Sequence, residues 1–388
     1  MPSEQAAVIG AGHTRFGALA EGPRALLREC VDLAVTSVDR GLERTEVDEA
    51  YLGTLGFNGW QIGNASAVLA EEARLVGAPV TRVENACASA GFALRAGIQA
   101  IESGQRSMVL VVGLEKMTDA ASRRRRYWLG VSGDTEWERL AGLTFAGVYG
   151  LLASRHMHEY GTPPEALAEV AVKNHAHALK NPKAQFRKAI RREEVLAAPR
   201  VADPLGLLDC CPVTDGAAAL LLTSVARARR YTDTPVRVVG SGAASDRLAV
   251  QERESLTSLA ASRRAAAEAF RSSPWDRSAL SFAEVHDCFT IAELIALEDL
   301  GLVPAGGAAA MTLAGETRVG GRLPVNPDGG LKAKGHPIGA TGASQAYEVF
   351  LQLRGQAGER QIPGAARALT HNVGGSGASA TVTLFEAG

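Results

Sequence analysis

Residues 108–112, Met-Val-Leu-Val-Val, are apolar at every position, so a strand formed there can turn neither face to water. The runs 6–10 and 217–223 read the same way. A strand that is hydrophobic on both faces needs cover on each, and the intervening segments 23–40, 61–76 and 91–103 supply it, with apolar residues at helical spacing. Strands at 6–10, 47–53, 80–85 and 108–112 alternate with those helices, which predicts an α/β fold whose sheet is mostly parallel and covered on both sides. The first run leads into Gly10-Ala11-Gly12, which reads as a turn. The third glycine and the acidic residue about 20 positions on do not fall into place, so a Rossmann cofactor site is rejected.

From 117 to 199 the pattern stops. No run there reads as a central strand, charges cluster, and Arg123, Arg124, Arg125 and Arg126 stand in a row. This reads as an inserted, surface-exposed lobe, and the arginines as either a solvated face or a patch for a ligand's phosphates. After 217–223 the opening order returns: a strand at 236–240 with its own Ser241-Gly242 turn, a helix at 256–270, a strand at 280–285, helices at 291–300 and 343–353, and two strand-like runs within 366–385. Two similar α/β halves are expected: a first half in two parts, 1–116 and 200–230, split by the lobe 117–199, and a second half at 231–388.

Lys and Arg number 41 against 42 Asp and Glu, so the chain has no general attraction to nucleic acid. The apolar stretch 108–114 is too short to span a bilayer, and the first residues lack a secretory pattern. No C-x-x-C pair occurs among Cys30, Cys87, Cys210, Cys211 and Cys288. A reduced, cytoplasmic protein with free thiols is expected.

Three distant stretches carry reactive groups. In 331–344, His336 sits among Gly335, Pro337, Gly339 and Gly342 just before a helix, where it is held to donate to a reacting oxygen or accept a proton, or else caps the helix. Cys87 stands where a strand meets a helix, flanked by Ala86, Ala88 and Ser89. Unpaired N–H groups and the helix dipole there favour thiolate, and small neighbours leave room for an acyl group; the alternative is a buried structural cysteine. His286 and Cys288 stand two apart at a strand end and, if the strand continues, share a face, with Asp287 on the other. Either they handle protons or they are satisfied buried groups. A zinc site from Cys87, His286, Cys288 and His336 is disfavoured because the spacing is loose. Asn372-Val373-Gly374-Gly375 offers backbone N–H groups for an oxyanion, while His371 has no clear role.

The segment Asn85-Ala86-Cys87-Ala88-Ser89-Ala90 resembles the nucleophile segment of thiolases, and Gly335-His336-Pro337-Ile338-Gly339-Ala340-Thr341-Gly342 is similar to their signature around the catalytic histidine. The resemblance covers nearly the whole chain. It implies a thiolase fold: two βαβαβαββ halves in a five-layered α-β-α-β-α core, with a loop domain inserted in the first. Where ordinary thiolases have Asn-Glu-Ala-Phe, this chain has His286-Asp287-Cys288-Phe289, and where they have Cys-x-Gly it has Asn372-Val373-Gly374. Both departures resemble sterol-carrier-protein-type thiolases, in which the cysteine of His-Asp-Cys-Phe stands in for the missing acid/base. No fused sterol-carrier segment is expected.

The resemblance implies that Cys87, activated by His336, takes an acyl group from an acyl-CoA, and that Cys288 moves the α-proton of acetyl-CoA. Backbone N–H groups of Cys87 and Gly374 would hold one oxyanion, and His336 with His286 or its water the other. CoA is then substrate and product, with no metal or redox cofactor. A homodimer or dimer of dimers is implied, and a small OB-fold and zinc-ribbon protein as partner. Competing expectations are acyl transfer to a non-CoA carbon acceptor, steroid side-chain aldol cleavage, whose enzymes tend to lose the cysteines, and a non-catalytic subunit binding acyl-CoA or lipid. Arg123 to Arg126, Ser241 and Ser245 are CoA-contact candidates by position only.

Overall fold

The computed structural model describes residues 4–388; residues 1–3 of the expected N-terminal half lie outside it. The first half runs β1 (Ala6–His13), α1 (Pro23–Thr36), β2 (Glu49–Gly53), α2 (Ala65–Glu72), β3 (Val80–Val83), α3 (Ser89–Glu102) and β4 (Met108–Glu115). Then come α4 (Ser122–Gly130), α5 (Phe145–Tyr160), α6 (Pro164–Ala178), α7 (Arg192–Leu196) and a small hairpin, β5 (Arg200–Ala202) with β6 (Leu205–Gly206). β7 (Gly216–Ser224) and α8 (Val225–Ala228) follow. The rest is β8 (Val236–Ser245), α9 (Ala260–Ser272), β9 (Phe282–Glu284), α10 (Thr290–Asp299), α11 (Ala308–Leu313), α12 (Thr341–Leu353), β10 (Arg367–Gly374) and β11 (Ser379–Ala387).

The large strands form one nine-stranded ladder, β3-β2-β4-β7-β1-β8-β11-β10-β9. It works as two sheets joined where β1 meets β8 through Ala7 and Val8. Alternation along the strands shows the layering. Met108, Leu110 and Val112 of β4 pack with Leu27 and Val31 of α1, whereas Val109 and Val111 pack with Leu94 and Ile98 of α3. The same inner core takes in Val349 and Phe350 of α12 and Val238 of β8, so α3 and α12 lie between the sheets. α9 and α10 cover the far face with Ala265 and Leu294. This is the five-layered α-β-α-β-α core.

Three expectations need correction. The sheet is mixed: β2–β3, β2–β4 and β9–β10 are parallel, and the other five pairings are antiparallel. β7 enters between β4 and β1 against both, and β11 turns straight back along β10. Gly10-Ala11-Gly12 is no turn, because β1 continues through it. A Cβ on Gly12 would stand 2.1 Å from the Cys30 carbonyl of α1, and one on Gly242 of β8 2.0 Å from that of Ala265 in α9, so these glycines admit a helix backbone. The segment 117–199 is not all surface, since Lys173 and Asn174 of α6 are fully buried against Glu293 of α10.

Candidate active site

Cys87 rides on a strained elbow. Ala86, directly before it, has φ 50°, a left-handed conformation that costs a non-glycine residue energy and persists where neighbours over-determine it. Ser89 Oγ does so by donating to the Ala86 carbonyl (2.6 Å) and accepting from Asn85 N (3.0 Å). α3 starts at Ser89, so the thiol sits at its mouth. The helix end does not make a resting thiolate. Burial pushes the Cys87 thiol up to about 12, although the Gly375 N–H against it pulls the other way. The expectation of a thiolate favoured by the helix end is thus overturned by desolvation.

His336 is held at both ends of its loop. Its N–H donates to Thr214 Oγ1 (2.9 Å), and Nδ1 lies 2.7 Å from Thr341 Oγ1 at the start of α12. The Thr341 hydroxyl has one proton, which points to the Pro337 carbonyl (3.2 Å). The contact with His336 therefore runs from Nδ1–H to the oxygen, leaving Nε2 with its lone pair. Burial, helped by Lys334, lowers the imidazole to about 3. Cys87 and His336 rest as a neutral thiol and a neutral base.

β9 ends at Glu284, so 286–288 is not a continuing strand, yet its side chains still alternate. Cys288 lines the cavity with Cys87, whereas Asp287 turns away to accept from Leu331 N (2.7 Å), Lys332 N (3.1 Å) and Asn174 Nδ2 (2.7 Å). Asp287 thereby ties the 286–288 loop to the turn Gly330–Lys334 that leads into His336. The His286 ring stands edge-on to His336, centroids 5.0 Å apart. One ligating atom each from Cys87, His286 and His336 all lie within 4.8 Å of one another. His286 is held well below its ordinary value by burial and by the neighbouring His336 and His371.

The cavity holds about 160 Å³ and is lined by Cys87, Cys288 and His336 with Met117, Leu129, Phe145 and Ile338 among its apolar walls. Gly375 rather than Gly374 faces it; Gly374 lies beneath, where a Cβ would stand 2.5 Å from Asn85 O. His371 is not part of the lining and bonds Ser262 Oγ (2.8 Å). Arg123, Arg124 and Arg126 are exposed on α4, whose Leu129 reaches the cavity, and Ser241 and Ser245 on β8 do not line it. Sequence reasoning passed over Tyr149, Cys211 and the side chain of Asn372. Tyr149, from α5, stacks on Phe289 (4.6 Å) and lies against Cys288, whose thiol burial raises well above its ordinary value. The N–H of Cys211 donates to the Cys288 carbonyl (3.0 Å). Nothing in the helical pattern of 145–160 marks Tyr149, but the doublet Cys210-Cys211 could have been followed up.

Covered sheets that bring a nucleophile elbow, a glycine-held histidine and a second cysteine into one cavity define an acyl-transfer enzyme of the α/β class. Family models agree on which: the thiolase N-terminal domain matches residues 6–226 and the thiolase C-terminal domain-like model residues 242–387. The chain is 45% identical to an acetyl-CoA acetyltransferase of Methanothermobacter thermautotrophicus, covering 98% of each. It is 34% identical to human sterol carrier protein 2, covering 98% of this chain and 72% of that one. A solved structure described as an Ltp2-ChsH2(DUF35) aldolase superposes with TM-score 0.85 at 26% identity, over 99% of this chain and 98% of that one. The chain belongs to the thiolase family.

Proposed function

We propose that the protein is a thiolase-type acyl-CoA C-acyltransferase that makes or cleaves 3-oxoacyl-CoA by Claisen chemistry. The convergence of Cys87, His286 and His336 within 4.8 Å, beside Cys288, carries the reading. In cleavage, Cys87 sulfur adds to the 3-oxo carbon as its proton passes to His336 Nε2. The C2–C3 bond then breaks, Cys288 gives its proton to C2, and acetyl-CoA leaves an acyl group on Cys87. CoA thiol accepts that group and returns a proton. The Cys87 and Gly375 N–H groups face the acyl oxygen, with Gly374 holding the turn; His286 and a protonated His336 face the thioester oxygen of the enolate. CoA is substrate and product, and these side chains cover the chemistry without another cofactor.

Intact-mass spectrometry after mixing with acetyl-CoA, beside an acetoacetyl-CoA cleavage assay, tests this. An acetyl adduct is expected on the wild type and on Cys288→Ala but not on Cys87→Ala, with turnover lost in both variants. Cleavage of a 3-hydroxyacyl-CoA that survived in Cys87→Ala would instead favour the aldolase chemistry in the name of the Ltp2-ChsH2(DUF35) neighbour. That neighbour's pairing with a DUF35 protein also supports a small partner of that kind here. A homodimer is proposed through β3, the outermost strand on its side of the ladder, whose outer edge is open to pair with a second copy. Light scattering that gave only monomer mass would refute it. Among the described residues no helix is long and apolar enough to cross a membrane, and the free cysteines fit a cytoplasmic site of action.

A further inference from the structure

Asn372, near the end of β10, has its amide wedged between two glycines. A Cβ on Gly342 would stand 2.4 Å from its Oδ1 and one on Gly91 2.8 Å, so α12 and α3 are pared to backbone where the amide passes. Two main-chain groups decide which way it faces. Oδ1 accepts from Gly91 N (3.2 Å), a first-turn donor of α3, and Nδ2 donates to the Cys87 carbonyl (2.9 Å). Turned over, the amide would set NH₂ against N–H and oxygen against carbonyl, losing both bonds. So placed, Nδ2 also lies 3.2 Å from His286 Nδ1. A ring nitrogen faced by a donor is the one with the lone pair, and a neutral imidazole then carries its proton on Nε2. Nε2 of His286 is buried and has no partner within the chain.

We propose that Asn372 is a positioning residue that fixes His286 as its Nε2–H tautomer, which makes His286 an obligate donor to a substrate oxygen and denies its lone pair to a metal ion. The first half rests on the acyltransferase reading above. The second does not, and answers a hazard of the site: a thiol and two imidazoles within 4.8 Å are a zinc-like ligand set, and zinc bound there would consume the nucleophile. An imidazole protonated at Nε2 cannot ligate through that atom. An aspartate at 372 would reverse the arrangement, since its carboxylate accepts a hydrogen bond from Nδ1–H and frees the Nε2 lone pair, as in carboxylate–histidine–zinc sites.

The test begins with the wild type, labelled with ¹⁵N-histidine and read by long-range ¹H–¹⁵N correlation, with His286→Gln to assign the signal. The Nε2–H pattern is expected at His286, and an Nδ1–H pattern would overturn the proposal. In Asn372→Asp, exchange of the acetyl-CoA methyl protons with D₂O should fall about 10²-fold, the usual cost of one lost oxyanion donor, while the acetyl adduct on Cys87 still forms. Calorimetric titration with ZnCl₂ should show one equivalent bound to Asn372→Asp, releasing the thiol proton, none to the wild type, and none to Asn372→Asp with Cys87→Ala. Equal zinc binding by the wild type, or undiminished exchange in Asn372→Asp, would overturn it. If Asn372→Asp does not fold, the wild-type spectrum and its zinc titration decide. An Nε2–H signal in a protein that exchanges no acetyl-CoA protons would sink the catalytic reading and leave the tautomer assignment standing.

Discussion

Cys87 and His336 divide the work of making a nucleophile. The thiol lies near 12 and the imidazole near 3, both displaced chiefly by burial, so a resting thiolate–imidazolium pair is disfavoured from both sides. The proton moves as the acyl carbon is attacked, when the developing charge passes to a carbonyl oxygen that N–H groups can hold. Alkylation by iodoacetamide, which offers no such oxygen, should expose this. Its rate at Cys87 is expected to climb about tenfold per pH unit from 7 to 10, with no plateau near the ordinary thiol value, and His336→Ala should change it little while abolishing acylation by acetoacetyl-CoA. A plateau near pH 8 would show a ready thiolate. Cys87 and His336 could be picked out from their small, turn-forming neighbours. The thiol's high value could not, because it depends on how much protein closes over the sulfur.

At the scale of elements, the two halves meet the same packing problem in the same way. Gly10 and Gly12 in β1 and Gly240 and Gly242 in β8 all lack the atom that would strike the backbone of α1 or α9. The pattern Gly-Ala-Gly and its echo Gly-Ser-Gly were legible, but they read as turns, since a strand glycine and a turn glycine look alike until a helix lies across them. Gly12→Ala puts a Cβ 2.1 Å from the Cys30 carbonyl and should cost about 3 kcal/mol or more in urea unfolding. Gly63→Ala has nothing within 4 Å and should stay within about 0.5 kcal/mol. Equal effects would mean that α1 shifts freely on β1. Asp287 shows how loops are coupled: from the middle of His286-Asp287-Cys288 it reaches the turn before His336, so two motifs about fifty residues apart are tied by direct hydrogen bonds.

For the whole molecule, the density of buried titratable groups sets how acid is tolerated. Burial lowers His13, His175, His177, His286, His336 and His371, so below about 6.5 the unfolded chain takes up protons that the folded one refuses, and stability falls with pH. Buried carboxyls work against this. Glu115, raised to about 7, and Asp299, raised to about 6, hold protons that unfolding would release, so they stabilise as pH falls, and burial raises Glu284 in the same direction. That offset is complete once the unfolded carboxyls are themselves protonated, near 4.5. The melting temperature should therefore change little from pH 7 to 5 and drop steeply below about 4.5; a steady decline from pH 7 would show that the histidines dominate throughout. The doubly apolar strands, the interruption at 117–199 and the stretches bearing Cys87, Cys288 and His336 were all determined by the sequence, because local pattern and covalent neighbours suffice to specify them. The mixed direction of the sheet, the burial of α6, and the encounter of Cys87, His286, His336, Tyr149 and Asn372 were decided only by the tertiary structure. Strand order and desolvation depend on contacts between residues as far apart as Gly91 and Asn372, and no local pattern encodes them.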